Sequence, residues 1–153
     1  MPGLKRPTLW AAVLFAALTL VATYPIARAP SSYAYFDHSD AQLNLWIMAW
    51  DAHALSRDPR NLFNANIFYP KRGTLAYSET LLGYLPLFGP VLWLQGSPAL
   101  AFNLILLFSF AVSGLGMYLL TRHLTGRHWP AIVAGIAYAF LPYRFVHVPQ
   151  IQL

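Results

Sequence analysis

Between Thr80 and Thr121 the chain runs for 42 residues without a charged side chain. Such a stretch does not suit the surface of a water-soluble domain, and it is too long for one helix across an apolar layer that takes about 20 residues. Gly96-Ser97-Pro98 divides it. The second part, 98–121, predicts a full span, with Ser113, Gly114 and Gly116 as small residues for close helix packing. The first part, 80–95, has only 16 residues and contains Pro86 and Pro90, so it reads as a short kinked span or a re-entrant segment. A third apolar run, LWAAVLFAALTLVATYPIA at 9–27, follows Lys5 and Arg6 and reads as an uncleaved anchor. Ala27-Arg28-Ala29 imitates a cleavage site, but Pro30 directly after it and the length of the run argue against processing. Residues 129–145 make a last membrane segment that ends in Pro142-Tyr143-Arg144.

Composition agrees with these runs. Hydrophobic residues make up 58% and charged residues 10%, against roughly 45–50% and 25% in soluble domains. The formal charge of +5 does not point to nucleic acid, because no more than two Lys/Arg are consecutive. Aromatic residues, 16% of the chain, suit a protein with much surface at headgroup level. The absence of cysteine excludes disulfides and Cys-ligated metals. The expected fold is therefore all-α: a polytopic membrane protein with an anchor at 1–28, an extracytoplasmic loop at 29–79, and membrane helices over 80–153. The basic loop RHLTGRH at 122–128 reads as cytoplasmic. That placement requires that 80–95 does not cross completely, and it returns Arg144 and His147 to the side of the 29–79 loop.

All five acidic residues fall between Asp37 and Glu79. Ser39 with Gln42 three residues on is a capping-box pattern, so the spacing predicts an amphipathic helix over 40–56. On it Asp40, Asn44 and Asp51 lie within roughly 40° of one another. Leu43, Trp46, Ile47, Trp50 and Ala54 form the neighbouring face, which suits a helix lying along a bilayer surface. The plainer reading makes Asp40 a charge that complements the helix N-terminus. Asp37 and Asp40 can instead divide labour as base and orienting group or, with His38, hold a divalent cation, although their spacing matches no strong metal motif. In Tyr69-Pro70-Lys71-Arg72-Gly73 two cations flank a turn, a pattern that grips phosphate or meets anionic headgroups. Glu79 reads as a helix N-terminal charge or a second carboxylate at the site. Arg144 and His147, three apart, share a face on a continuing helix. His53, His123 and His128 have no partner pattern and read as structural. G-x-S-x-G, H-E-x-x-H and P-loop motifs are absent.

An N-terminal span followed by an outside loop that opens with an acidic motif, then further spans, resembles the GT-C glycosyltransferases. SDAQLNLWIMAWDAHAL, NLFNANIFYPKRGTLAYSE and LTGRHWPAIVAGIAYAFLPYRFVHVPQIQL are similar to bacterial membrane proteins described as glycosyltransferase-like. The resemblance implies an enzyme of the bacterial inner membrane whose extracytoplasmic loop transfers a sugar from a polyprenyl-phosphate carrier. It assigns the base to Asp40, with Asp37 second, and the carrier phosphate to Lys71, Arg72 or Arg144. Asn44, Asp51, Glu79 and His147 fall in supporting positions, and a divalent metal is an open question. The family often has D-E or D-x-D where this chain has D-x-x-D, which weakens the assignment of Asp37. The family also has many more spans, so the chain reads as the N-terminal portion of a longer enzyme, inactive alone. The implied partners are membrane lipids and the sugar donor, not nucleic acid. The alternatives are a transporter or lipid-flipping subunit whose acids line a water-filled path, and an anchor without chemistry.

Overall fold

The computed structural model describes residues 5–32 and 39–151, and all the regular secondary structure among them is helical. The helices are α1 (Lys5–Ala22), α2 (Tyr24–Arg28), α3 (Ser39–Arg57), α4 (Leu85–Gln95), α5 (Pro98–Thr125), α6 (His128–Ala139) and α7 (Pro142–Val146). Pro98–Thr125 and His128–Val146 are long and apolar enough to cross a membrane, and Arg6–Ala22 is a shorter apolar helix. The chain forms two compact units. Unit 1 comprises the chain through Ala29 with Leu106–Val148, and unit 2 comprises Pro30–Ile105 with Pro149–Leu153.

Proline sets the breaks in unit 1. The run 9–27 is not one helix: α1 stops at Ala22, and Pro25 lies in the first turn of α2. Its ring leaves no N–H for the carbonyl four residues back and crowds that carbonyl. The segment 129–145 is likewise interrupted at Phe140–Leu141, where Pro142 keeps Leu141 out of the helical region at φ −58°, ψ 139°. The core gathers Ala11, Phe15, Tyr118, Ala131 and Ile132. Phe15 fills the space that two glycines leave open. A Cβ on Gly114 would stand 2.5 Å from its ring, and one on Gly135 would also collide with it. Gly116 faces open space, so of the two glycines expected to pack closely only Gly114 does so. Thr19 and Thr23 give their hydroxyl protons to the carbonyls of Phe15 and Thr19, at 2.8 and 2.7 Å. Their polar groups are thus satisfied within the helix, as an apolar setting demands.

Unit 2 is built on α3 and α4. Met48, Leu75, Phe88 and Phe102 are central to its buried cluster. The Trp93 indole of α4 donates to the Ala52 carbonyl of α3 at 3.1 Å, which pins the two helices together. With 11 residues, α4 measures about 16 Å, roughly half an apolar layer. Segment 80–95 therefore does not form a full span as a helix. Between α3 and α4 the backbone is irregular apart from single 3₁₀ turns, and side chains supply its missing partners. Trp50 Nε1 donates to the Leu62 carbonyl at 2.7 Å, Thr74 Oγ1 to the Ala65 carbonyl at 3.2 Å, and the Gly73 N–H to Asn64 Oδ1 at 2.9 Å.

Candidate functional site

Of the polar line on α3, Asn44 and Asp51 face inward, whereas Asp40 stays exposed. Asn44 is 4% exposed and Asp51 is fully buried, while Leu43 on the neighbouring face is exposed. The spacing placed Asp40, Asn44 and Asp51 on one face, but hydropathy could not foresee what that face meets. It meets the chain after α7, whose irregular backbone needs donors. Asn44 Nδ2 donates to the Pro149 carbonyl at 3.0 Å. One turn earlier the exposed Asp40 accepts from Gln150 Nε2 at 2.7 Å through Oδ2.

Asp51 is the electrostatic anomaly of unit 2. Neither of its buried oxygens has a hydrogen-bond partner of full geometry among the described residues. Burial pushes its carboxyl up to about 6, and the Leu81 backbone N–H pulls weakly in the opposite direction.

On the other side of α3 an apolar groove of about 290 Å³ runs between the helix and the irregular segment. Leu43, Trp46 and Ile47 form its helical wall, and Ile67, Phe68, Leu75 and Tyr77 line it from the loop, with the hydroxyl residues Thr74 and Ser78. Phe68 holds φ +57°, a costly conformation for a bulky side chain. Its carbonyl accepts from the Lys71 N–H at 2.9 Å, and its ring lies 6.2 Å from that of Tyr77. Lys71 and Arg72 are exposed in the turn joining the groove residues Phe68 and Thr74. Asp40 lies in the first turn of α3, three residues before Leu43, and is not part of the groove lining. Unit 2 thus combines a carboxylate, an apolar groove and a cation pair.

The remaining candidates fall elsewhere. Glu79 is exposed, accepts from Ser78 Oγ at 3.3 Å, and precedes the 3₁₀ turn Leu82–Tyr84. It does not cap α4, because the chain bends before Leu85 rather than entering the helix at Thr80. Arg144 belongs to unit 1, where it donates to Ser109 Oγ at 3.2 Å and lies 4.3 Å from the centre of the Phe110 ring. His147 stacks on Tyr143 at 3.9 Å and pairs through Nδ1 with that residue's carbonyl. Arg144 and His147 therefore engage different partners. Asp37 and His38 lie outside the described residues. Among the described residues no three His, Asp or Glu side chains gather as a metal site would require.

One network escaped the sequence reading. Arg122 Nη1 donates to the Tyr118 hydroxyl at 2.6 Å, and that hydroxyl pairs with His128 Nδ1 at 2.9 Å. The four-residue spacing of Tyr118 and Arg122 was the available signal. Comparison with family models, curated proteins and solved structures finds no match to this chain.

Proposed function

We propose that the chain is the N-terminal part of a membrane glycosyltransferase that takes a sugar from a polyprenyl-phosphate carrier outside the membrane. The observation that carries this reading is the mainly apolar groove of unit 2, with the exposed Lys71 and Arg72 in the turn between its lining residues Phe68 and Thr74. An isoprenoid chain ending in phosphate has the same division, an apolar tail and an anionic head. The two cations would hold the phosphate as its charge grows on leaving. Asp40, three residues before the groove residue Leu43 on α3, would take the proton of the acceptor hydroxyl as its oxygen attacks the anomeric carbon. The bond from that carbon to the phosphate oxygen breaks, and the phosphate keeps the electron pair. Gln150 Nε2 donates to Oδ2 of Asp40, and Oδ1 would take the proton.

The test is sugar transfer from a polyprenyl-phosphate donor, measured in membranes of cells that carry the substitution. Asp40→Asn preserves the size of the side chain and an oxygen for Gln150. The expected loss is about 10²–10⁴-fold, the usual share of general-base catalysis, at unchanged protein level. Wild-type transfer by Asp40→Asn would remove Asp40 from the site. Lys71→Gln with Arg72→Gln should raise the donor KM, and an unchanged KM would remove the phosphate role.

A further inference from the structure

We propose that one end of unit 1, formed by the start of α1, the last turn of α5 and the start of α6, is a binding surface for anionic lipid headgroups. Unit 1 holds six of the ten Lys and Arg residues and no Asp or Glu at all. No carboxylate in the unit can therefore neutralise its cations. Arg6, Arg122 and Arg127 belong to the three segments that meet at this end. Arg122 joins two of them, since Nη1 reaches the Tyr118 hydroxyl at 2.6 Å and Thr8 Oγ1 at 3.5 Å. The Tyr118 side chain is 0% exposed. The same hydroxyl pairs with His128 Nδ1, 2.9 Å away at the start of α6. The buried phenol thus fixes the guanidinium by one nitrogen. Both hydrogen bonds of the guanidinium to described residues run from Nη1, and the Nη2 side of the fork would pair with phosphate oxygens.

Lipid, rather than a dissolved anion, is the occupant that the rest of this end fits. Trp10 is 71% exposed and Trp129 76% exposed, each within a turn or so of these cations in sequence. An exposed indole beside an arginine suits the headgroup level of a bilayer, where an apolar ring and a polar N–H are both satisfied. Inorganic phosphate would make no use of either ring. This surface is separate from the groove of unit 2, and it does not depend on sugar transfer.

The experiment is native mass spectrometry of the detergent-solubilised chain, titrated with phosphatidylglycerol and phosphatidylcholine that carry the same acyl chains. Phosphatidylglycerol should bind at least about fivefold more tightly, the gain expected of a single well-placed cation near an anionic headgroup. Arg122→Gln combined with Arg127→Gln should bring the two lipids to within about twofold. Arg28→Gln removes a cation of unit 1 from another segment and should leave the preference intact. Arg127→Gln alone spares the Tyr118 network and should lower the preference at an unchanged melting temperature, which separates binding from folding. Equal binding of the two lipids by the wild type would overturn the proposal. So would a preference that survives the double substitution, or one that Arg28→Gln abolishes equally. Competition by inorganic phosphate beyond that of chloride at equal ionic strength would replace the lipid with a free anion, and so overturn it too.

Discussion

Unit 1 carries six Lys and Arg residues and no acid, whereas unit 2 carries four and all five acids. Their hydrogen bonding differs as much as their charge. In unit 1 the buried threonines bond to carbonyls four residues back on their own helix. In unit 2 Asn44, Trp50 and Asn103 reach carbonyls of other segments, those of Pro149, Leu62 and Pro30. The reason lies in the backbone. A helix satisfies its own peptide groups and can be buried among apolar side chains, but irregular chain leaves carbonyls that only side-chain donors can reach. Polar residues are therefore buried in unit 2 because its backbone needs them.

The sharpest test of this contrast is a labelling experiment. The chain has no cysteine, so single cysteines report without background. Asn66→Cys lies in the irregular segment before α5, and His123→Cys lies in the last turn of α5. His123 is the better site than Gly126, whose φ of +68° would strain a side chain. If α5 crosses the membrane, an impermeant thiol reagent applied to intact cells should label the first and spare the second. Labelling of both would break the topology on which the functional reading stands.

The next effect concerns packing in unit 1. Gly114→Ala or Gly135→Ala should cost about 1–3 kcal/mol, because the added Cβ collides with the buried Phe15 ring. Gly116→Ala meets nothing and should be neutral or slightly stabilising. Melting temperatures in detergent separate the three, and equal values would mean that Phe15 does not fill the gap.

In unit 2 the larger effect is electrostatic. The Asp51 carboxyl, raised from 3.8 to about 6, favours the folded state while it is neutral. That stabilisation is complete below the unfolded value and is lost as pH rises through about 6. Asp51→Asn should flatten this decline and stabilise the protein by about 1–2 kcal/mol at neutral pH, a figure reduced for partial solvent screening. Parallel pH–stability profiles of the variant and the wild type would show that Asp51 is not held neutral. Trp50→Phe keeps an aromatic ring and removes the donor to the Leu62 carbonyl. The smaller ring loses part of the indole's packing as well as the bond, so the expected cost is at least about 1 kcal/mol, read as faster proteolysis within residues 58–79, and an unchanged rate would assign that segment's order to other contacts.

The sequence by itself determined the helical class. Apolar runs at 9–27, 98–121 and 129–145 each fall largely on helix, but the breaks at Pro25 and Pro142 lie inside segments that read as continuous. It also placed Asp40, Asn44 and Asp51 on one face of α3, since that is a matter of 3.6 residues per turn. Only the tertiary structure decided which way that face points, because periodicity specifies a face but not its partner. Here the partner is the chain around Pro149, more than 100 residues later. The same holds for the glycines, for local sequence does not show that Phe15 enters at Gly114 and Gly135 but not at Gly116. It holds as well for Tyr118, whose spacing to Arg122 was visible while its burial beside His128 was not. Local geometry is encoded within a few residues, whereas burial is settled by contacts between segments distant in the chain.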